Sequence, residues 1–432
     1  MLRASSVCEA AGVPACSLAT EGFVGQARAT SVGLGLPGMP VAMIPGHVAV
    51  QSTAELRRNL LEVTLPQVIA NLSANVATAG DALTAEPDPR TPVFEGSFDA
   101  VNAHFIANEW SDGLPIVPPT RERIAAFLAF TDLAPESSLG TLLPDNRAAT
   151  VWSVAVNGVM AGCRPEYMPV LVALAEAMAD PEYGVEHSGN TPGGETLVVL
   201  NGPIVKELGF NYTQGVMRDG FQPNTTVGRF WRLYLRNVAG FLPHQTDKAT
   251  FGNTWRVAIA ENEDELAALG WPAHCEEFGF ARGTNAVAIG RYTGGGMCSS
   301  MAGSTPEALV PFLADGLVRH TFWQITFTVG IGYGRLRPLA LLSPIIARTF
   351  AKGGWSKADL KRALFRELDE IVSAARKNKP KLTKMRKSEA RALVRARHAA
   401  KAPKPYQSMK APEQPTAPHP SRPKRVLPLD EW

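Results

Sequence analysis

The run from Thr150 to Ala177, TVWSVAVNGVMAGCRPEYMPVLVALAEA, constrains this chain more than any other stretch. It opens with small and β-branched residues and passes Asn157, Gly158 and Gly162 to Cys163, Arg164 and Glu166. From Met168 onward it is apolar. Small residues around a thiol let backbone approach closely, whether to a ligand or to another element. In one reading Cys163 is a core residue between two packed helices, the usual place of a free cysteine. In the other, Arg164 and Glu166 tune a reactive thiol, and the guanidinium depresses its pKa or binds an anion. A single cysteine without a neighbouring histidine favours the first reading on chemistry alone.

A chain of 432 residues has room for two or three domains with real cores. Its 45% hydrophobic and 19% charged residues are those of a soluble globular protein. Five cysteines in so long a chain do not suggest a disulfide scaffold, the odd count leaves at least one thiol free, and a reducing, cytoplasmic setting fits best. The first residues lack the apolar core of a signal peptide. The most apolar late stretch, Thr321 to Phe350, is broken by Gly330, Gly332, Gly334, Arg335, Arg337 and Pro338, which argues against a transmembrane segment. Charge is unevenly spread. From Ala351 to Trp432 there are 21 Lys+Arg against 8 Asp+Glu, which leaves the preceding body acidic.

Residues 1–75 read as a small α/β domain. Helices are expected over Leu2–Ala11, Glu21–Gly33 and Thr53–Leu72, and strands over Val13–Leu18 and Pro40–Ile44. Leu56, Leu60, Leu61, Val63 and Ile69 recur at helical spacing in the last helix. Alternating strands and helices imply a doubly wound parallel sheet, with ligand positions at the strand ends near Thr20 and Pro45–His47. Two strands make such a sheet incomplete. Residues 76–95, rich in Gly, Pro and small residues, form a linker.

A larger α+β domain is expected over 96–375, followed by a basic, Pro-rich disordered tail over 376–432. The tail lacks interleaved aromatics, so it points to acidic partners without a strong nucleic-acid signal. Thr120 is expected to cap a helix, although Arg123 stands where a capping box has Glu. Strands are expected over Thr196–Leu200, Trp255–Ile259, Asn285–Arg291 and Phe322–Ile331, and helices over Thr305–Leu317, from Ser343–Pro344 and from Ser356. Asn201, in the turn Asn201–Gly202–Pro203, is a substrate-orienting candidate, and Asn157 is a second polar group for the same pocket. Asn224, Thr225 or Thr226 is expected to cap a helix on which Arg229, Arg232 and Arg236 share one face, an arrangement suited to an anion. Cys298 follows the glycine-rich run TGGG and could face a substrate. His274–Cys275–Glu276–Glu277 lacks metal-ligand spacing, and no metal site is expected.

The first domain resembles the UGSC selenoprotein family on Gly12–Val13–Pro14, Thr20, Phe23, Leu36–Pro37, Pro40 and Pro45–Gly46–His47. That family is named for a Sec/Cys-Gly-Ser-Cys motif that precedes this segment. The motif is absent here, so either the start lies upstream or the redox centre has been lost. The larger domain resembles the one that accompanies the UGSC domain, over roughly 108–368, on NEWSDGLPIVPPTRERIAAFL, AVNGVMAGCRPEYMPV, LVVLNGPIVKELGFN, NTTVGRFWRLYLRNVAG and GGWSKADLKRALF.

HExxH, GxSxG, paired CxxC and dinucleotide fingerprints are all missing. The expectation is a cytoplasmic thiol-dependent enzyme acting on a small anionic substrate, with Cys163 as nucleophile or redox thiol. Arg164 and Glu166 would tune it, and Arg229 and Arg232 would bind the anion. The resemblance implies redox chemistry. A lyase or hydratase in the same pocket, or a noncatalytic binding and assembly protein, is the alternative. The cofactor is unknown, and homo-oligomerisation is left open.

Overall fold

A computed structural model describes residues 2–73, 88–253, 257–296, 301–320 and 338–377. The architecture is mixed α/β with small sheets. One compact unit comprises Met1–Trp323 with Gly334–Leu368. A second comprises Gln324–Tyr333 with Asp369–Trp432, and is described only from Asp369 to Lys377, as helix. The expected strand Phe322–Ile331 and the tail from 378 lie outside the described residues, as does most of the expected linker. Among the described residues no helix is long and apolar enough to cross a membrane.

The N-terminal segment alternates as its sequence implies. Helix α1 (Leu2–Ala10) leads to β1 (Ser17–Thr20), α2 (Val24–Gly33) and β2 (Val41–Ile44). A long helix follows as α3 (Thr53–Asn59), a π turn (Leu60–Thr64) and α4 (Leu65–Ser73). Strands β1 and β2 pair in parallel, Ser17 opposite Val41 through Thr20 opposite Ile44. The first strand starts at Ser17 rather than Val13, because Val13 N–H closes the end of α1 on Cys8 O at 2.9 Å. Ser52 and Glu55 form a reciprocal capping box at α3. This segment is anchored to the rest of the unit: Arg3 pairs with Glu186, and Gln26 Nε2 donates to Thr246 O at 3.1 Å. A Cβ on Gly33 would lie 1.6 Å from Pro144 O, so only glycine allows that approach.

Beyond the linker come α5 (Phe98–Ala107), α6 (Arg121–Leu128), an antiparallel pair β3 (Ser138–Leu142) and β4 (Arg147–Thr150), α7 (Val151–Ala161) and α8 (Met168–Ala179). A three-stranded sheet runs in the order β6 (Ala258–Ala260), β5 (Glu195–Asn201), β7 (Ala286–Tyr292), with β6 parallel and β7 antiparallel to β5. Between β5 and β6 lie α9 (Ile204–Glu207) and α10 (Gln222–Tyr234), which continues through a π turn, Leu235–Ala239. Strand β6 is shorter than expected, and residues 254–256 lie outside the described set. Helices α11 (Glu263–Leu269), α12 (Pro306–His320), α13 (Pro344–Lys352) and α14 (Lys357–Lys377) contribute to a smaller core that contains Trp271, Leu313, Phe350 and Leu364. Ser356 and Asp359 close a capping box at α14.

The main core is built on α7 and α8, the run singled out in the sequence. Val151, Val154, Ala155, Val159, Leu171, Leu174, Ala175 and Met178 are all buried. Gly158 permits the helices to meet, since a Cβ there would lie 2.7 Å from Leu171 Cδ1 and 2.8 Å from Phe127 Cε1. Overpacking of this kind costs about 1–3 kcal/mol. Gly158→Ala should therefore lower the unfolding free energy by that amount, read as a lower chemical-denaturation midpoint with the m-value unchanged.

Candidate functional site

Helix α7 ends at Gly162, whose φ of +81° is the left-handed conformation that glycine adopts without cost. Cys163 N–H then bonds Gly158 O at 3.0 Å, which closes the helix end and fixes the cysteine backbone. The glycines flanking the thiol thus serve helix packing and helix termination. Cys163 is 9% exposed, yet it lines a cavity of about 240 Å³ with Val117, Arg123, Ala126, Phe127, Val159, Gly162 and Pro165. Burial pushes the thiol up to about 12, while the Thr226 hydroxyl and the Arg229 charge pull the other way. At neutral pH the resting group is the thiol, where the sequence reading required a lowered pKa.

Arg164 and Glu166 adjoin Cys163 in sequence but are exposed. Arg164 lies 3.9 Å from Glu166, donates to Leu208 O at 3.3 Å and stacks 5.0 Å from the Tyr167 ring centre. The groups that act on the sulfur come instead from α10. That helix begins at Gln222 with no side-chain cap, so Asn224, Thr225 and Thr226 are internal rather than capping. Asn224 is fully buried and bonds Asn211 N, Asn211 O and Ala258 O, tying the helix to β6. Phe221 precedes the helix, and Pro223 sits in its first turn, where a missing N–H costs nothing.

Each arginine of the row meets a carboxylate of the chain, with Arg236 in the π turn that ends α10. Arg229 forks onto Asp112, Nε to Oδ2 at 3.1 Å and Nη2 to Oδ1 at 2.8 Å, and also donates to Pro115 O at 2.9 Å. Arg232 lies 2.7 Å from Asp247 and 3.4 Å from Glu195. Arg236 bonds Glu109 O, with its guanidinium 4.0 Å from that carboxylate. None of these carboxylates belongs to the acidic run Glu261–Glu265. Burial outweighs Arg232 and pushes the Glu195 carboxyl up, whereas Glu195 and Asp247 overcome burial to raise Arg232.

Asn157 is buried, donates to Ser153 O at 2.9 Å and accepts from Asn237 Nδ2 at 2.9 Å. Asn201, 1% exposed at the end of β5, donates to Glu261 Oε2 and Glu263 Oε1, each at 2.8 Å. Cys298 lies outside the described residues. The structure therefore brings together Cys163, Thr226 and Arg229, and leaves Asn201 in its own acidic network. Sequence reasoning missed Arg123, Phe127 and Val117 as cavity walls. In the sequence Arg123 is only an irregular capping-box position; its N–H bonds Thr120 Oγ1 at 3.4 Å, and the residue also lines the cavity. Among the described residues no three His, Cys, Asp or Glu side chains are grouped to hold a metal.

Residues 1–74 match the UGSC family model. No curated protein and no solved structure matches the chain. The UGSC match covers the N-terminal segment only, and Cys163 and its cavity lie in the larger region that follows.

Two measurements follow. The Arg229–Asp112 pair is largely buried, with side chains 16% and 8% exposed. Truncating one partner of such a pair costs about 3–5 kcal/mol, so Arg229→Ala should destabilise the fold by that much in urea titrations. The raised Cys163 thiol stays protonated in the folded state after the unfolded thiol, at 9.0, has ionised. Its contribution to stability is complete below pH 9.0 and is lost as pH rises towards about 12. Cys163→Ala should flatten that part of the stability profile.

Proposed function

We propose that this chain is a thiol-dependent enzyme acting on a small anionic molecule held in the Cys163 cavity. The observation that carries the reading is the position of Cys163: buried, fixed by a closed helix end, and yet among the residues that line the cavity. Structural cysteines are usually enclosed by packing on all sides, and nothing about packing requires a thiol at a cavity surface. The Thr226 hydroxyl and the Arg229 charge both favour the thiolate, so they would support the sulfur once its proton leaves.

The protonated resting state favours the lyase or hydratase form of this reading over redox chemistry. In that form Cys163 passes its proton to the bound substrate, and the thiolate left behind is stabilised by Thr226 and Arg229 until the proton returns. The four described cysteines are free, in keeping with a reducing, cytoplasmic setting. The second reading is a noncatalytic binding protein. It is favoured by the same elevation of the thiol by burial, because an un-ionised sulfur is a poor nucleophile.

Thiol labelling of the folded protein, read by mass spectrometry residue by residue, separates the two. The enzyme reading predicts that Cys163 is alkylated by small reagents at a rate that climbs steadily with pH and is suppressed by a cavity ligand. Exposed Cys8 should label faster and ignore that ligand. Cys163 inert at every pH until the protein unfolds would leave the binding reading.

A further inference from the structure

We infer that the Cys163 cavity takes a small monocarboxylate with a short apolar body, and that Arg123 is the residue that binds its charge; this deepens the proposed function and rests on the same cavity. The walls are mostly apolar: Val117, Ala126, Phe127, Val159 and Pro165 surround the thiol. Arg123 is the charged residue of that lining. A guanidinium presents two parallel donors that match a carboxylate, which gives orientation as well as attraction.

The contrast with α10 assigns the role. Arg229, Arg232 and Arg236 meet Asp112, Asp247 with Glu195, and Glu109, so a ligand would have to displace a protein carboxylate from each. Arg123 donates Nη1 to the carbonyl of Pro118 at 2.9 Å, and among the described residues it meets no carboxylate. It is exposed and stands in the first turn of α6, an eight-residue helix whose amino end adds a favourable field for an anion. A cavity of about 240 Å³ lies below the usual size of drug-like sites, which limits the body to a short chain or a single ring. Apolar walls also exclude a phosphate or a dicarboxylate, whose further charge would be stripped of water without a partner.

The inference gives the ligand's two ends different partners. In this assignment its carboxylate pairs with Arg123, and its apolar body packs on the apolar lining residues such as Phe127 and Val159. The end remote from the carboxylate is the one that meets Cys163. Substrate choice is thereby divided between charge at the entrance and size at the thiol.

Isothermal titration of the full chain with hexanoate, hexanamide and inorganic phosphate tests the assignment. Hexanoate should bind, and the amide and phosphate should bind at least about tenfold more weakly. Added salt should weaken hexanoate binding. Arg123→Gln should bring hexanoate down to the level of the amide, with Arg123→Lys intermediate because it keeps the charge but loses the fork. Circular dichroism on both variants checks that the exposed substitution leaves the fold intact. Equal binding of hexanoate and hexanamide, no hexanoate binding at millimolar concentration, or full hexanoate affinity in folded Arg123→Gln would each overturn the inference. The failure of the broader reading looks different: Cys163 would stay unreactive in the folded protein whatever the titrations show.

Discussion

The fork of Arg229 onto Asp112 is the interaction on which the site depends. The arm Trp110–Pro119 is rich in proline and has no sheet partner, so its backbone groups must find other bonds. Arg229 takes the carboxylate of Asp112 and the carbonyl of Pro115, Asn102 Oδ1 accepts from Ile116 N–H at 2.7 Å, and Met160 O accepts from Val117 N–H at 3.3 Å. Three helices thus hold one strap. That strap delivers Val117 to the cavity, and the charge of the same guanidinium favours the Cys163 thiolate. A charge that sequence alone assigns to a ligand is committed to architecture, and its influence on the thiol is a by-product of where the strap must be tied.

Much of the fold was legible because local rules agree with the global arrangement. The capping pair at Ser356 and Asp359, the Thr120 cap, the parallel pairing of the first two strands and the buried strand ending at Asn201 all rest on short-range chemistry. The start of α10 was misplaced for the same reason. Asn224 looks like a cap by composition, but its side chain bonds Asn211 and Ala258, partners 13 and 34 residues away. No local window contains that information.

The site was legible in one half. Cys163 was visible from its flanking glycines, although these turned out to serve the meeting of α7 with α8 and the end of α7. The sign of its pKa shift was not visible, because Arg164 and Glu166 adjoin it in sequence while burial and α10 decide its environment. Arg123 escaped notice because nothing within forty residues of Cys163 hints that α6 will form the facing wall. Charged neighbours in sequence are weak guides to a thiol's environment when the chain turns sharply at a left-handed glycine.

The π turn Leu235–Ala239 at the end of α10 carries a consequence of its own. A widened turn accommodates one more residue than an α-helical one, so side chains after it are rotated by up to ~100° relative to an unbroken helix. Arg229 and Arg232 precede it, while Arg236 falls inside it and reaches Glu109, in the corner between α5 and the strap. A lineage that lost a single residue here would gain a regular helix and re-aim its third guanidinium. Length variation at this one position is thus a means of changing the number of cations that point at the strap without altering a single arginine.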